Sequence, residues 1–241
     1  MIKKTILIEN KSSITTKNLQ LVIKSEIRES TIPMEDIGFL VLDHPEIYLS
    51  LPTMNLLVEN NASIIICANN HLPNGMFLNL NSHHIQQEIF KNQIEASIPL
   101  KKQLWQQTII EKITNQGQLL QRITKDKNTF EFLAAKVLSG DTSNMEGVAA
   151  QFYWKNFPFP NQEKEGIKRE RYGDYPNNFL NYGYAILRAA TARALSGSGL
   201  LNTLGIHHKS KYNAFALADD IMEPFRPVVD EKVFELMQKY D

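Results

Sequence analysis

A single cysteine, Cys67, among 241 residues excludes an internal disulfide and a zinc cluster of several thiolates. It ends the apolar run Ser63 to Cys67, whose isoleucines argue against a reactive thiol, and it suits a reducing compartment. No apolar run approaches the roughly eighteen residues that a membrane span needs, and the opening MIKKTILIEN has only a short apolar stretch before Glu9. A cytoplasmic protein with no membrane partner is therefore expected. Net charge is missing too. The 26 basic and 26 acidic side chains balance, against the habit of a uniformly basic nucleic-acid binder. There is no P-loop, no GxGxxG after a strand, no HExxH and no GxSxG. What is present is an ordinary apolar fraction of 43%, which excludes disorder and provides one large or two small domains with a core.

The first eighty or so residues alternate with a period near two. Lys4 to Ile8, Leu19 to Ile23, Ile37 to Leu42, Ser63 to Cys67 and Met76 to Leu80 read as strands between Asn, Ser, Asp and Pro punctuation. Asn74-Gly75 reads as a hairpin turn between the last two, and a short helix is expected from Thr53 to Asn60. From about His83 the period becomes 3.6. Ile85, Ile89 and Phe90 start one apolar stripe; Leu100, Leu104, Trp105, Ile109 and Ile113 carry another toward Ile123. Further helices are expected at Phe130 to Leu138, Phe179 to Leu195, Ala214 to Met222 and Glu231 to Tyr240, with a polar loop from Phe157 to Pro176. The fold class is α+β: a β-rich, sandwich-like domain over residues 1–82, then a larger all-helical domain over residues 83–241.

Charge is uneven along this chain. Between Lys155 and Lys211 nine basic residues face four acidic ones, a surface able to track phosphates. Lys164, Lys168, Arg169 and Arg171 crowd the polar loop and are the candidate DNA contacts; a solvated face is the plain alternative.

Three places carry potential metal ligands: Glu146, the pair His207-His208, and Asp219, Asp220 and Glu223. Each has a structural alternative. Ser143 to Glu146 also reads as a capping box. A histidine after Leu204-Gly205-Ile206 is commonly a surface residue. The three acids suit an amphipathic helix that shows them to water opposite Leu217, Ala218, Ile221 and Phe225, although like charges on one face repel. Carboxylates and imidazole without thiolate suit Mg²⁺ or Mn²⁺. His83-His84 read as first-turn polar residues.

Four ordered segments resemble the CRISPR-associated integrases of the Cas1 family. They are Ser139-Gly140-Asp141 with Asn144 to Gly147 and AQFYW at 150–154; Asn181 to Leu187; Leu204 to His208; and DDIMEPFRP at 219–227. The His-His pair and MEPFRP look most like the type II branch. The resemblance implies Glu146, His208 and Glu223 as metal-binding catalytic residues, with Asp220 as a neighbouring acid and His207 directed elsewhere. It implies a β domain that forms a homodimer, a small Cas2 partner, further type II Cas proteins, and double-stranded DNA as both protospacer and repeat. The activity implied is insertion of new spacers by phosphodiester transesterification in antiviral defence. Relatives usually continue some tens of residues beyond the point where this sequence stops, with C-terminal contacts to DNA or partner. Two other readings remain: a catalytically weakened DNA-binding scaffold of the same fold, and a metal-dependent phosphodiesterase acting on small nucleotides.

Overall fold

The computed structural model describes residues 3–81, 83–125, 129–160, 166–170 and 173–240. The chain divides into two compact units, Met1–Ile89 with Arg193–Leu200, and Phe90–Ala192 with Leu201–Asp241. The division expected after residue 82 thus falls later, and a distant segment joins the first unit. The reason is packing that local periodicity does not encode: Gly199 lies so close to His83 and Ile89 that a Cβ there would meet each at 2.9 Å. Arg193 Nε donates to the Asn61 carbonyl at 2.6 Å.

The first unit holds strands β1 (Lys4–Ile8), β2 (Ser12–Lys17), β3 (Gln20–Ser25), β4 (Glu29–Pro33), β5 (Ile37–Leu42) and β6 (Ile47–Leu49), helix α1 (Leu51–Glu59), then β7 (Ser63–Cys67) and β8 (Pro73–Phe77). They form two four-stranded sheets, ordered β1-β5-β7-β8 and β4-β3-β2-β6. Ile14 and Leu21 from one sheet and Ile8, Leu40 and Ile64 from the other share a single core with Leu57 of α1. β2 alternates buried and exposed residues along its first four positions, as a half-covered strand should, whereas central β5 is almost wholly inward. The polar strands β2 and β4 are hard to read from sequence because alternation in SSITTK and ESTIP is carried largely by Ser and Thr rather than by aliphatic residues, and β6 because it has only three residues.

One turn expectation is corrected. Asn74-Gly75 is not the hairpin turn; Gly75 is paired with Ile66 inside β8. The reversal lies just before it, where Ala68 and Leu72 close the loop and His71 takes φ 62°. Pro73 begins β8, an edge strand, where proline is tolerated.

The second unit is helical: α2 (Gln86–Glu95, which begins in the first unit), α3 (Ile98–Thr124), α4 (Phe130–Ala135), α5 (Met145–Asn156), α6 (Asn177–Gly197, whose last turn belongs to the first unit), α7 (Ala216–Met222) and α8 (Arg226–Tyr240), with 3₁₀ turns at Ser139–Asp141 and Glu223–Phe225. α3 starts on a Ser97 cap that accepts from the Leu100 N–H, and it stops at left-handed Lys125. Its stripe of Trp105, Ile109, Ile113, Leu119 and Leu120 is buried against Tyr153, Leu180, Met222 and Val233. The described residues of the Phe157–Pro176 segment form no regular element, yet they are better anchored than their polarity suggests, with Phe157, Phe159 and Ile167 in the core. Among the described residues no helix is long and apolar enough to cross a membrane.

Candidate active site

Glu146 opens α5, and the way that helix is capped decides what its carboxylate does. The Ser143–Glu146 capping box does not form. Gly140 at φ 73° turns the chain so that the Asp141 carboxylate accepts from the N–H groups of Met145 and Glu146 at 2.8 and 3.0 Å. Asn144 Oδ1 accepts from Gly147. With the first helical donors satisfied by these neighbours, the Glu146 side chain is free to reach Lys112 of α3, whose Nζ lies 2.6 Å from Oε1.

The acids of α7 and the following turn do not face water. Asp219, Asp220 and Glu223 are buried, while Phe225, placed on the apolar stripe by helical spacing, is exposed. The inward orientation is tolerated because each carboxylate has partners of its own. Asp219 takes Arg188 Nε at 2.6 Å and Asn213 Nδ2 at 2.8 Å. Asp220 accepts from three successive backbone N–H groups, those of Ile206, His207 and His208, and bonds His208 Nδ1 at 2.5 Å. Glu223 Oε1 accepts from Arg226 Nε at 2.8 Å, and Oε2 lies 2.6 Å from the Lys112 ammonium. Lys112 thus joins Glu146 to Glu223.

The two histidines have separate environments. His207 stacks on buried Trp105, ring centroids 4.2 Å apart and nearly parallel, whereas His208 meets the same indole edge-on. His208 is fixed at Nδ1 by Asp220, which leaves Nε2 for a further ligand. Gly205 permits the tight approach: a Cβ there would stand 2.6 Å from the His208 carbonyl oxygen and 2.8 Å from Asp220 Oδ2.

The charges shift one another. The Asp220 hydrogen bond raises the His208 imidazolium above its ordinary range, against the opposing effect of burial. Burial alone would raise Asp220 and Glu223, but both are lowered on balance: Asp220 by His208 and the backbone donors, Glu223 by Lys112 and Arg226. Behind Glu223, wholly buried Asp230 accepts from the Tyr153 hydroxyl at 2.9 Å and from the Tyr184 hydroxyl. Arg226 lies over the Tyr184 ring.

The structure therefore brings Glu146 and Glu223 to one cation and binds His208 to Asp220, three residues before Glu223. Among the described residues no three His, Cys, Asp or Glu side chains converge as a ready metal cluster, because the ammonium stands between the glutamates. The donor set still fits a hard divalent cation. Glu223 Oε2 and Glu146 Oε1 are carboxylate oxygens that share a single cation, the Lys112 ammonium at 2.6 Å from each, and hard oxygen donors of this kind suit Mg²⁺ or Mn²⁺.

The expected DNA contacts divide. Lys168 is exposed and paired with Glu170. Arg169 turns inward, bonding Asn177 and Asn181 and lying against Trp154 and Tyr184. Lys164 and Arg171 lie outside the described residues. Spacing and composition do not point to a basic cleft of about 500 Å³ beside His208, lined by Lys101, Lys209, Ser210 and Lys211. Nor do they point to Lys112, whose one signal is a charge at a position that helical spacing assigns to the buried face, beside Ile109 and Ile113. Cys67 is half-buried, and burial first, then Asp43, pushes its thiol up to about 11, which disfavours the thiolate form.

Comparison with known proteins places these features in context. Residues 5–241 match the family described as CRISPR associated protein Cas1. The chain is 36% identical to the CRISPR-associated endonuclease Cas1 of Neisseria meningitidis serogroup C (strain 8013), over 98% of this chain and 76% of that protein. The fold is similar to a chain of a Cas6-RT-Cas1–Cas2 complex, with TM-score 0.75 and 22% identity, covering 99% of this chain and 28% of the other. It is also similar to a casposase bound to integration product, with TM-score 0.69 and 23% identity, covering 98% and 73%.

Proposed function

Because the chain belongs to the CRISPR-associated Cas1 family, we propose that it is a metal-dependent DNA endonuclease and integrase that inserts new spacers into a CRISPR array. The observation that carries this reading is the meeting of Glu146 and Glu223, from elements far apart in sequence, at one buried cationic point. Glu146, Glu223 and His208 would hold Mg²⁺ or Mn²⁺. The ion would supply Lewis acidity toward the reacting phosphodiester.

The reaction joins a DNA 3′-hydroxyl to a phosphodiester at the repeat edge while a sugar oxygen leaves, and it needs no covalent protein intermediate. The chain's residues set the stage for that exchange. Asp141 and Asn144 hold the first turn of α5 and so fix Glu146. Arg226 orients the Glu223 carboxylate, and Asp220 fixes the His208 ring through Nδ1. Trp105 closes the apolar side of the histidine pair. Lys101, Lys209 and Lys211 in the neighbouring cleft suit the phosphates of the strand that enters. Two joining events at two repeat edges call for more than one active centre. A homodimer through the β-rich unit, bridged by Cas2 and working with other type II Cas proteins, meets that need.

Joining of a labelled duplex into a repeat-bearing plasmid with Mg²⁺ or Mn²⁺ tests the reading. Glu223→Gln and His208→Ala should each reduce joining by on the order of 100-fold or more, the scale on which removing one electrostatic partner of a transition state acts. His207→Ala should keep joining and lose about 1 kcal/mol of stability with its Trp105 stack. Undiminished joining by Glu223→Gln would refute the assignment, and turnover of a mononucleotide ester without joining would favour a small-nucleotide phosphodiesterase.

A further inference from the structure

We propose that Lys112 is a tethered stand-in for the divalent ion: its ammonium holds Glu146 and Glu223 together in the metal-free protein, and metal loading requires it to withdraw. This rests on the reading of the two glutamates as ligands. Lys112 Nζ lies 2.6 Å from Glu146 Oε1 and 2.6 Å from Glu223 Oε2. A Mg²⁺ ion takes oxygens at about 2.0–2.1 Å, so an ion shared by these two atoms would occupy nearly the point where the nitrogen now sits. Both cannot be there together.

The bonding pattern agrees with a placeholder rather than a permanent ion pair. Glu223 Oε2 is engaged by the Lys112 ammonium alone, 2.6 Å away, so withdrawal of that one group frees it for a metal ion. Glu223 Oε1 is held by Arg226, a partner that does not have to move when Oε2 exchanges one cation for another. The Lys112 side chain is only 8% exposed and that of Glu223 5%, where two carboxylates left without a cation would be strongly disfavoured. A lysine suits temporary duty, since its flexible four-carbon stem lets the charge leave without displacing α3.

The test uses the full chain and Mn²⁺ alone, with free Mn²⁺ read by electron paramagnetic resonance. Lys112→Met removes the competing charge and keeps the stem, so it should bind Mn²⁺ about tenfold or more tightly than the wild-type chain, the scale of one charge-assisted hydrogen bond. It should also melt lower in EDTA and gain more from Mn²⁺ than the wild type does. Equal or weaker binding by Lys112→Met would overturn the proposal. A second measurement needs no variant: reductive methylation of the wild-type protein, read by mass spectrometry at the peptide that carries Lys112, should be slow in EDTA and faster with Mn²⁺. Equal protection in both conditions would also overturn it. Glu223→Gln separates the two levels of the argument. If that variant binds Mn²⁺ as the wild type does, the ligand reading has failed and the stand-in fails with it; if it binds weakly while Lys112→Met binds no more tightly, the stand-in alone has failed.

Discussion

Asp230 is cut off from water altogether and keeps two phenolic donors, Tyr153 and Tyr184, with Arg226 and Arg169 nearby. Burial dominates, and the carboxyl is raised to about 6, against about 3.9 in an unfolded chain. The folded state therefore holds a proton that the unfolded state has already released between those two values. Stability associated with Asp230 is present in full below about pH 4 and is lost as pH rises toward 6, by up to roughly 3 kcal/mol. Asp220 and Glu223, lowered on balance, contribute in the opposite sense. Asp230→Asn cannot titrate, so the stability of the wild type minus that of the variant should fall as pH rises from 4 to 7. Urea unfolding followed by fluorescence reads this in the helical unit, since Trp105 and Trp154 are the two tryptophans. A difference that stays flat across that range would mean that Asp230 is ionised in the folded chain throughout.

At this same scale the sequence is only partly informative. The residue types alone leave Glu146 open between ligand and capping box, and His207 level with His208; the family resemblance, not spacing, singles out Glu146, His208 and Glu223. The structure explains why spacing is insufficient. Helix α5 is capped by Asp141 and Asn144, one of them outside the expected Ser-x-x-Glu pattern. Lys112 is inconspicuous for a related reason: a lone lysine in an amphipathic helix ordinarily reads as solvated, and only its carboxylate partners, 34 residues and more away in sequence, change that.

Elements are easier to read than residues wherever apolar side chains carry the period. β1, β5 and β7 fall at the expected bounds; β5 and β7 are the central strands of their sheet and are aliphatic nearly throughout, and edge strand β1 is marked by the apolar run Ile6 to Ile8. α7 lies where helical spacing puts it but is buried on both faces, since acids are assigned to solvent by habit while the partners that bury these come from α3, α6 and the 205–208 turn. The segment from Thr203 to Ala214, between α6 and α7, is where charge and site meet: Lys209 and Lys211 line the cleft beside His208. Replacing Lys101, Lys209 and Lys211 by Ala should weaken duplex binding and flatten the plot of log affinity against log salt by about 0.9 for each phosphate that is no longer neutralised. Thermal stability should hardly change, since these lysines are not core residues. A salt slope equal to that of the wild-type chain would remove this cleft from the DNA path and return attention to Lys168.

These 241 residues carry no formal net charge, so overall charge does little to draw DNA to them, and local basic clusters have to carry the attraction. In the proposed insertion two strands are joined at two repeat edges, and the number of copies that take part can be counted. If each joining event draws its centre from a different copy, mixing active and inactive chains has a quadratic consequence. In assemblies reconstituted from equal amounts of wild type and Glu223→Gln, only about a quarter of randomly drawn pairs of centres would contain two active members. Two-ended insertion should then fall to about a quarter of the wild-type yield, with one-ended joining accumulating in its place. Duplex binding should persist, because removal of one carboxylate leaves the cleft lysines untouched. Separating one-ended from two-ended products on a denaturing gel decides the matter. A fall to only about half would show that a single copy performs both joinings, since yield would then follow the active fraction linearly.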